Sequence, residues 1–173
     1  MAVNTWGANA SVLFAASKNM MAILNTHASR VRRISRMYSI NTQTGAVTAG
    51  TFNAKIQITT ISALTSPTAV TPFPYDSTNA ALSGLTAGHA GTPTAVNIMR
   101  QYMWAQDECA AEATQETWQT VFPIIEVWNA GYTETNIQKL ACRINEGVMF
   151  FTNTSPNTTA SNHFEIEFTD EAS

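Results

Sequence analysis

The sequence predicts an all-β protein, an antiparallel β-sandwich with an extended N-terminal arm. Three observations carry that expectation. Short runs alternate apolar and polar side chains with period two, the repeat that sends successive side chains to opposite faces of a strand. Gly, Pro and Asn punctuate these runs as turns would. The charged share is only 12%, against roughly 25% in ordinary domains. Its place is taken by 25 Thr, 25 Ala and 14 Asn, and β-branched Thr sits well on a half-exposed strand. With 173 residues, 45% of them hydrophobic, the chain fits one domain with enough apolar surface to fold.

Residues 1–18 carry Trp6, Leu13 and Phe14 but no acid, and read as an arm that must pack on something else. Trp6 in such an arm is best used as an anchor on a neighbouring subunit. Residues 19–173 read as a single sandwich domain. Asn19–Asn25 is an apolar run closed by Thr26–Ser29, which fits a buried strand. From Val31 to Ile40, Ile34, Tyr38 and Ile40 share one parity, interrupted by Arg36, while Ser35, Met37 and Ser39 take the other. Asn41–Gly45 follows as a turn. The clearest strand is Phe52–Thr59, with Phe52, Ala54, Ile56 and Ile58 on one face.

Residues 65–95 hold Pro67, Pro72, Pro74 and Pro93, so long loops around short edge strands are expected there. Strand resumes at Ile98–Trp104. Asp107–Glu116 spaces its acids as a short solvated helix or an acidic loop would. Trp118–Trp128 suggests a bulged or edge strand around Pro123, with a turn at Asn129–Tyr132. Leu140, Cys142 and Ile144 alternate into Asn145-Glu-Gly147, and Val148 and Phe150 alternate out, the pattern of a hairpin. His163–Thr169 closes the chain with Phe164, Ile166 and Phe168 facing inward. Trp104, Trp118 and Trp128 lie in strand-like segments and read as core, with a sugar-stacking platform as the alternative.

Several kinds of chemistry find no support. His27, His89 and His163 are isolated, with no metal-ligand spacing. No Gly-x-Ser-x-Gly elbow, phosphate loop or His-Glu-x-x-His motif occurs. Glu165 and Glu167 share a strand face as a glycosidase pair might, but simple solvation explains them. Cys109 and Cys142 read as small core residues. No catalytic residue, cofactor or metal is therefore expected, and the chain is not read as an enzyme. No apolar run is long enough to cross a membrane as a helix. The N-terminus lacks the basic and apolar regions of a secretory signal.

Charge is unevenly placed. Before Asp76 the chain has Lys18, Arg30, Arg32, Arg33, Arg36 and Lys55 and no acid; from Asp76 onward it has twelve acids against Arg100, Lys139 and Arg143. The parts carry +6 and −9, which sum to the net −3. Either the two parts interleave and neutralise each other in one fold, or they mark surfaces that meet across a subunit contact. Direct nucleic-acid binding is disfavoured, since the chain is acidic overall and its aromatics do not interleave with the arginines.

Specific stretches carry a resemblance. Ser17-Lys-Asn-Met-Met-Ala-Ile-Leu-Asn25, Arg32-Arg-Ile-Ser-Arg-Met-Tyr38 and Asn41-Thr-Gln-Thr-Gly-Ala-Val-Thr48 come first. Ile56-Gln-Ile-Thr-Thr-Ile-Ser62, Thr68-Ala-Val-Thr-Pro72, Trp118-Gln-Thr-Val-Phe-Pro123, Trp128-Asn-Ala-Gly-Tyr132, Glu146-Gly147 and Ile166-Glu-Phe-Thr169 follow. Together these resemble a family of small virion structural proteins of tailed bacteriophages. The resemblance implies a jelly-roll-like sandwich that decorates and cements the capsid, made in the bacterial cytoplasm and mounted on the virion surface. Its partners would be the major capsid protein and copies of itself, a trimer being the simplest closed ring. Trp6, Leu13, Phe14, Arg30, Arg32, Arg33 and Arg36 are then the expected subunit-interface residues. A tail, neck, fibre or filament component, or a carbohydrate-binding sandwich, remain the alternatives.

Overall fold

The structure, a computed structural model, describes residues 4–13, 15, 17–41, 52–106, 125–129, 140–153 and 161–172. Among these the chain is all-β. In order the strands are β1 (Asn4–Leu13), β2 (Lys18–Asn25), β3 (Arg30–Asn41), β4 (Phe52–Thr65), β5 (Thr68–Ala69) and β6 (Phe73–Pro74). Then come β7 (Leu85–His89), β8 (Thr92–Gln106), β9 (Ile125–Asn129), β10 (Leu140–Cys142), β11 (Glu146–Thr152) and β12 (Ser161–Ala172). They form two sheets in which the pairings are antiparallel. The first runs β10-β3-β12-β1-β6, with β9 also on β3; the second runs β5-β7-β2-β11-β4-β8.

The core lies between the inner faces, and β12 sits at the middle of the first sheet. Its Phe164, Ile166 and Phe168 are fully buried. Directly across on β1 stand Ala10, Ala8 and Trp6, so small residues face two of the three large ones and leave room for the opposite sheet. Phe150 of β11 meets Phe164 across the sandwich, ring centroids 5.0 Å apart, a tilted aromatic contact. Met21, Ile23, Ile56, Ile58 and Val148 complete the second sheet's inner face. That sheet is apolar on its other face too: Ala22, Leu24, Ile61, Leu64 and Met149 form a separate buried cluster. Burial on both faces explains why Asn19–Asn25 reads as a continuous apolar run.

Four expectations are corrected. Residues 4–13 are no arm: β1 is inserted between β12 and β6, and Trp6 is 5% exposed in the core, not an anchor for a neighbour. The backbone amides of a near-terminal segment are satisfied by the ladder, which fixes it in place. On β3 the inward residues are Ile34, Met37 and Ser39, while Tyr38 and Ile40 face out. A register shift where Glu167 and Phe168 of β12 meet Arg36 and Ile34 reverses the parity expected from alternation.

Third, Leu140–Phe150 is no hairpin. β10 pairs with β3 and β11 with β2 and β4, so the turn at Asn145, at φ 61°, carries the chain from one sheet to the other. Fourth, β8 begins at Thr92 and includes Pro93. The expected turns at Asn41–Gly45 and Asn129–Tyr132, the segment Asp107–Glu116, Trp118 and Cys109 fall wholly or mainly outside the described residues.

Deletion of residues 1–13 should abolish cooperative unfolding, because it removes a strand from within the first sheet. Circular dichroism during a urea titration reads this; a truncated chain that still unfolded cooperatively would put β1 outside the essential fold.

Candidate functional site

The arginines of β3 are settled by register. Arg32 faces inward opposite Asp170 of β12 and is fully buried. It forms an ion pair with Asp170, and its Nη2 donates to the Ser83 carbonyl at 2.6 Å. Burial, followed by repulsion from Arg30, pulls the Arg32 pKa down. Arg33 Nε donates to Glu171 Oε2 at 2.7 Å and Arg36 Nε to Glu126 Oε1 at 2.9 Å. Arg36 Nη1 also lies 3.8 Å from Glu167, and Arg30 lies 4.0 Å from Asp170.

The cluster expected at a subunit interface is therefore paired within the fold. Of the other interface candidates, Leu13 is 59% exposed at the end of β1, Trp6 is core, and Phe14 lies outside the described residues.

The outer face of the same sheet carries a polar cluster that sequence reasoning left as solvated. Cross-strand rungs place Ser11, His163 and Ile40 in one row, Asn9, Glu165 and Tyr38 in the next, and Gly7, Glu167 and Arg36 in the third. Tyr75, from the loop after β6, spans two rungs. Its hydroxyl lies 2.9 Å from Glu165 Oε1 and 3.0 Å from Glu167 Oε1. The loop can lie this close because the Phe73 ring occupies the space above Gly7, where a Cβ would come within 2.4 Å of it.

Burial alone would raise the Glu165 carboxyl, but hydrogen bonds from His163, Tyr38 and Tyr75 hold it below the usual carboxylate range. Conversely, burial and the bonds to these carboxylates raise both tyrosine hydroxyls far above their ordinary value.

Within the cluster Ser11 Oγ is 3.0 Å from His163 Nδ1, and His163 Nε2 is 3.5 Å from Glu165 Oε2. The order of groups suggests a hydrolase relay, yet its geometry follows from neighbouring rungs of one ladder. No sharp turn lifts Ser11 out of its strand as a nucleophile elbow does. The cluster fastens the 73–79 loop across β1 and β12. Among the described residues, no group of three His, Cys, Asp or Glu side chains could hold a metal ion. Cys142 is a buried free thiol pushed up to about 12 by burial, then by Glu146, which leaves it unreactive at neutral pH.

A different surface is open. The first sheet is bordered by the short strands β6, β9 and β10, and the second ends at one side in the two-residue β5. At its other side stands β8, fifteen residues long. Three of its register irregularities against β4 lie between Ile58 and Ala63, and there Val96 and Ile98 are 56% and 58% exposed. Beside them the 143–146 turn exposes Ile144. A groove of about 430 Å³ lies between, lined by Ile61, Val96, Leu140, Cys142, Arg143 and Glu146 among others. The sequence marked β8 only as a strand; its place at the border depends on pairings distant in the chain.

Replacing Tyr75 with Phe should cost about 1 kcal/mol, less than is usual for bonds to charged groups because Tyr75 is half exposed. The wild type should also lose stability as pH rises above about 10. There the unfolded tyrosines ionise while Tyr38 and Tyr75, with raised folded pKa values, stay protonated. Urea midpoints from pH 8 to 11 test both; a Tyr75→Phe variant with unchanged alkaline sensitivity would remove Tyr75 from this role.

No protein-family model, no curated protein and no solved structure matches the chain, so its own geometry carries the functional reading.

Proposed function

We propose that the chain is a structural virion subunit that decorates and cements the capsid of a tailed bacteriophage. It acts by binding, with the major capsid protein and further copies of itself as partners. The observation that carries this reading is the β8 flank. Val96, Ile98 and Ile144 hold apolar side chains in water, Val96 at the wall of the groove, and contact with a neighbouring protein subunit is what would remove them from it. Among the described residues β8 is a long border strand, which adds a backbone edge to the same surface. Internal neutralisation of the β3 arginines leaves apolar contact, not charge, as the main attraction.

Strand order supports a jelly-roll reading in particular. β1 pairs with the last strand β12, β12 with β3, and β3 with β9 and β10; in the other sheet β2, β11, β4 and β8 follow one another. Two interleaved Greek keys generate such an order, an architecture common in viral capsid and lectin domains. The stretches that resemble phage virion proteins favour the capsid among these. Mounted on the capsid surface as a closed ring, a trimer in the simplest case, each copy would stabilise the assembled shell by mass action. A tail, neck, fibre or filament subunit would use the same flank on a different partner.

Mixed with empty, undecorated shells of a tailed phage, the protein should co-sediment saturably and raise the shell melting temperature. Val96→Asn with Ile98→Asn should weaken binding about tenfold or more, while leaving the chain's own melting point nearly unchanged. Absence of co-sedimentation would remove the capsid reading. Equal binding by the double variant would move the contact off this flank.

A further inference from the structure

The opposite flank of the sandwich, where β1 faces β2, β5 and β7, holds a second concavity of about 390 Å³. Its lining includes Ser11, Lys18, Asn19, Thr68 and His89, with Val12, Leu13 and Met20 as apolar wall. Two features separate it from ordinary surface relief. First, Lys18 stands beside His89, close enough to push its pKa down, after burial, and neither has a carboxylate partner among the described residues. Every arginine of β3, by contrast, has an acid nearby. Second, Asn19 is 1% exposed, and its Oδ1 has no donor, although its Nδ2 bonds the Gly88 carbonyl at 3.3 Å. A buried amide oxygen left unpaired costs stability unless something supplies a donor.

The backbone around the pocket is also set against its preferences. Four non-glycine residues among those described have positive φ: Ser17, Ser66, Ala90 and Asn145. Ser17 immediately precedes Lys18, Ala90 immediately follows His89, and Ser66 is two residues before Thr68. Three of the four therefore position pocket residues, and strain of this kind collects where geometry is held for use. The wall is locked as well. The Ala90 amide donates to the Asn19 carbonyl at 2.8 Å. Gly88 lets the 67–68 segment approach so closely that a Cβ would come within 2.4 Å of the Thr68 carbonyl.

We infer that this pocket binds a carboxylate-bearing sugar, with Lys18 and the His89 ring N–H receiving the carboxylate and Thr68 and Asn19 the hydroxyls. One permanent positive charge matches a monoanion. The Ala90 amide on the rim is already engaged, which leaves no backbone nest for a phosphate dianion. A sugar hydroxyl is the donor that Asn19 Oδ1 lacks, and Val12, Leu13 and Met20 suit the apolar face of a pyranose ring. The size accommodates a single residue or the end of a glycan. The site goes beyond the capsid reading and stands without it, since it lies on the flank away from β8.

Titration of the full-length protein with sodium glucuronate, glucose and inorganic phosphate, followed by amide chemical shifts at pH 7, tests the assignment. Glucuronate should shift the Lys18, Thr68 and His89 amides saturably, glucose and phosphate should not, and Lys18→Gln should weaken glucuronate about tenfold. Lys18 is exposed at a strand start, so this variant should keep the wild-type melting point; His89→Gln supplies a second one if it does not. Lack of saturable glucuronate binding, equal binding of phosphate, or wild-type affinity in both variants would overturn the site. Shell co-sedimentation is read separately, so either proposal can fail alone.

Discussion

A guanidinium with no exposed surface has to be neutralised where it sits. Arg32 meets this constraint through Asp170 on the next strand and the Ser83 carbonyl from a distant loop. A buried pair of this kind contributes little net stability over apolar residues, but losing one partner strands the other charge at a cost of several kcal/mol. Its effect is therefore on arrangement. Arg32 can be buried only if β3 lies beside β12 in one register; that register brings Arg33 to Glu171, and the shift after Ile34 sets Arg36 opposite Glu167.

The charge split of the sequence follows from this ladder. β3 carries four arginines and no acid; β12 carries four acids and no arginine or lysine. They are far apart in sequence and adjacent in space, so arginines of the early part meet acids of the later part across this ladder. What could have been two complementary surfaces on separate copies is a single internal seam. Neutralising it internally removes most long-range attraction for a polyanion, and leaves Lys18 as a local exception on the other flank.

The sequence made β4 and β12 legible because their inward positions are large and apolar. β1 obeys the same period, with Trp6, Ala8 and Ala10 inward and Gly7, Asn9 and Ser11 outward, yet alanine is too small to mark a face. Small residues were needed there because the side chains beside and opposite them are large. On β3 one register shift reversed the parity, and alternation has no means of announcing a bulge. The turn at Asn145 has hairpin chemistry but joins different sheets, a choice made by pairings with β2, β3 and β4. Tyr75 sits in a proline-rich loop with no local sign that its hydroxyl will find carboxylates some 90 residues away. Local pattern thus revealed strands, while the polar cluster and both flanks were written in long-range register.

The two flanks also differ in how they treat backbone edges, and that difference bears on assembly. Edges closed by strands of two to five residues offer few free amides and resist pairing with another chain. The proposed sugar pocket lies beside one such strand, β5, and a ligand there meets side chains fixed by the fold. β8 follows another logic. Its bulges turn the backbone away from indiscriminate strand addition, yet they also bring Val96 and Ile98 out into solvent. A partner must therefore match the apolar shape of the groove before it can use the edge. This makes the β8 flank selective, as the proposed cement contact at a defined place on a shell would have to be.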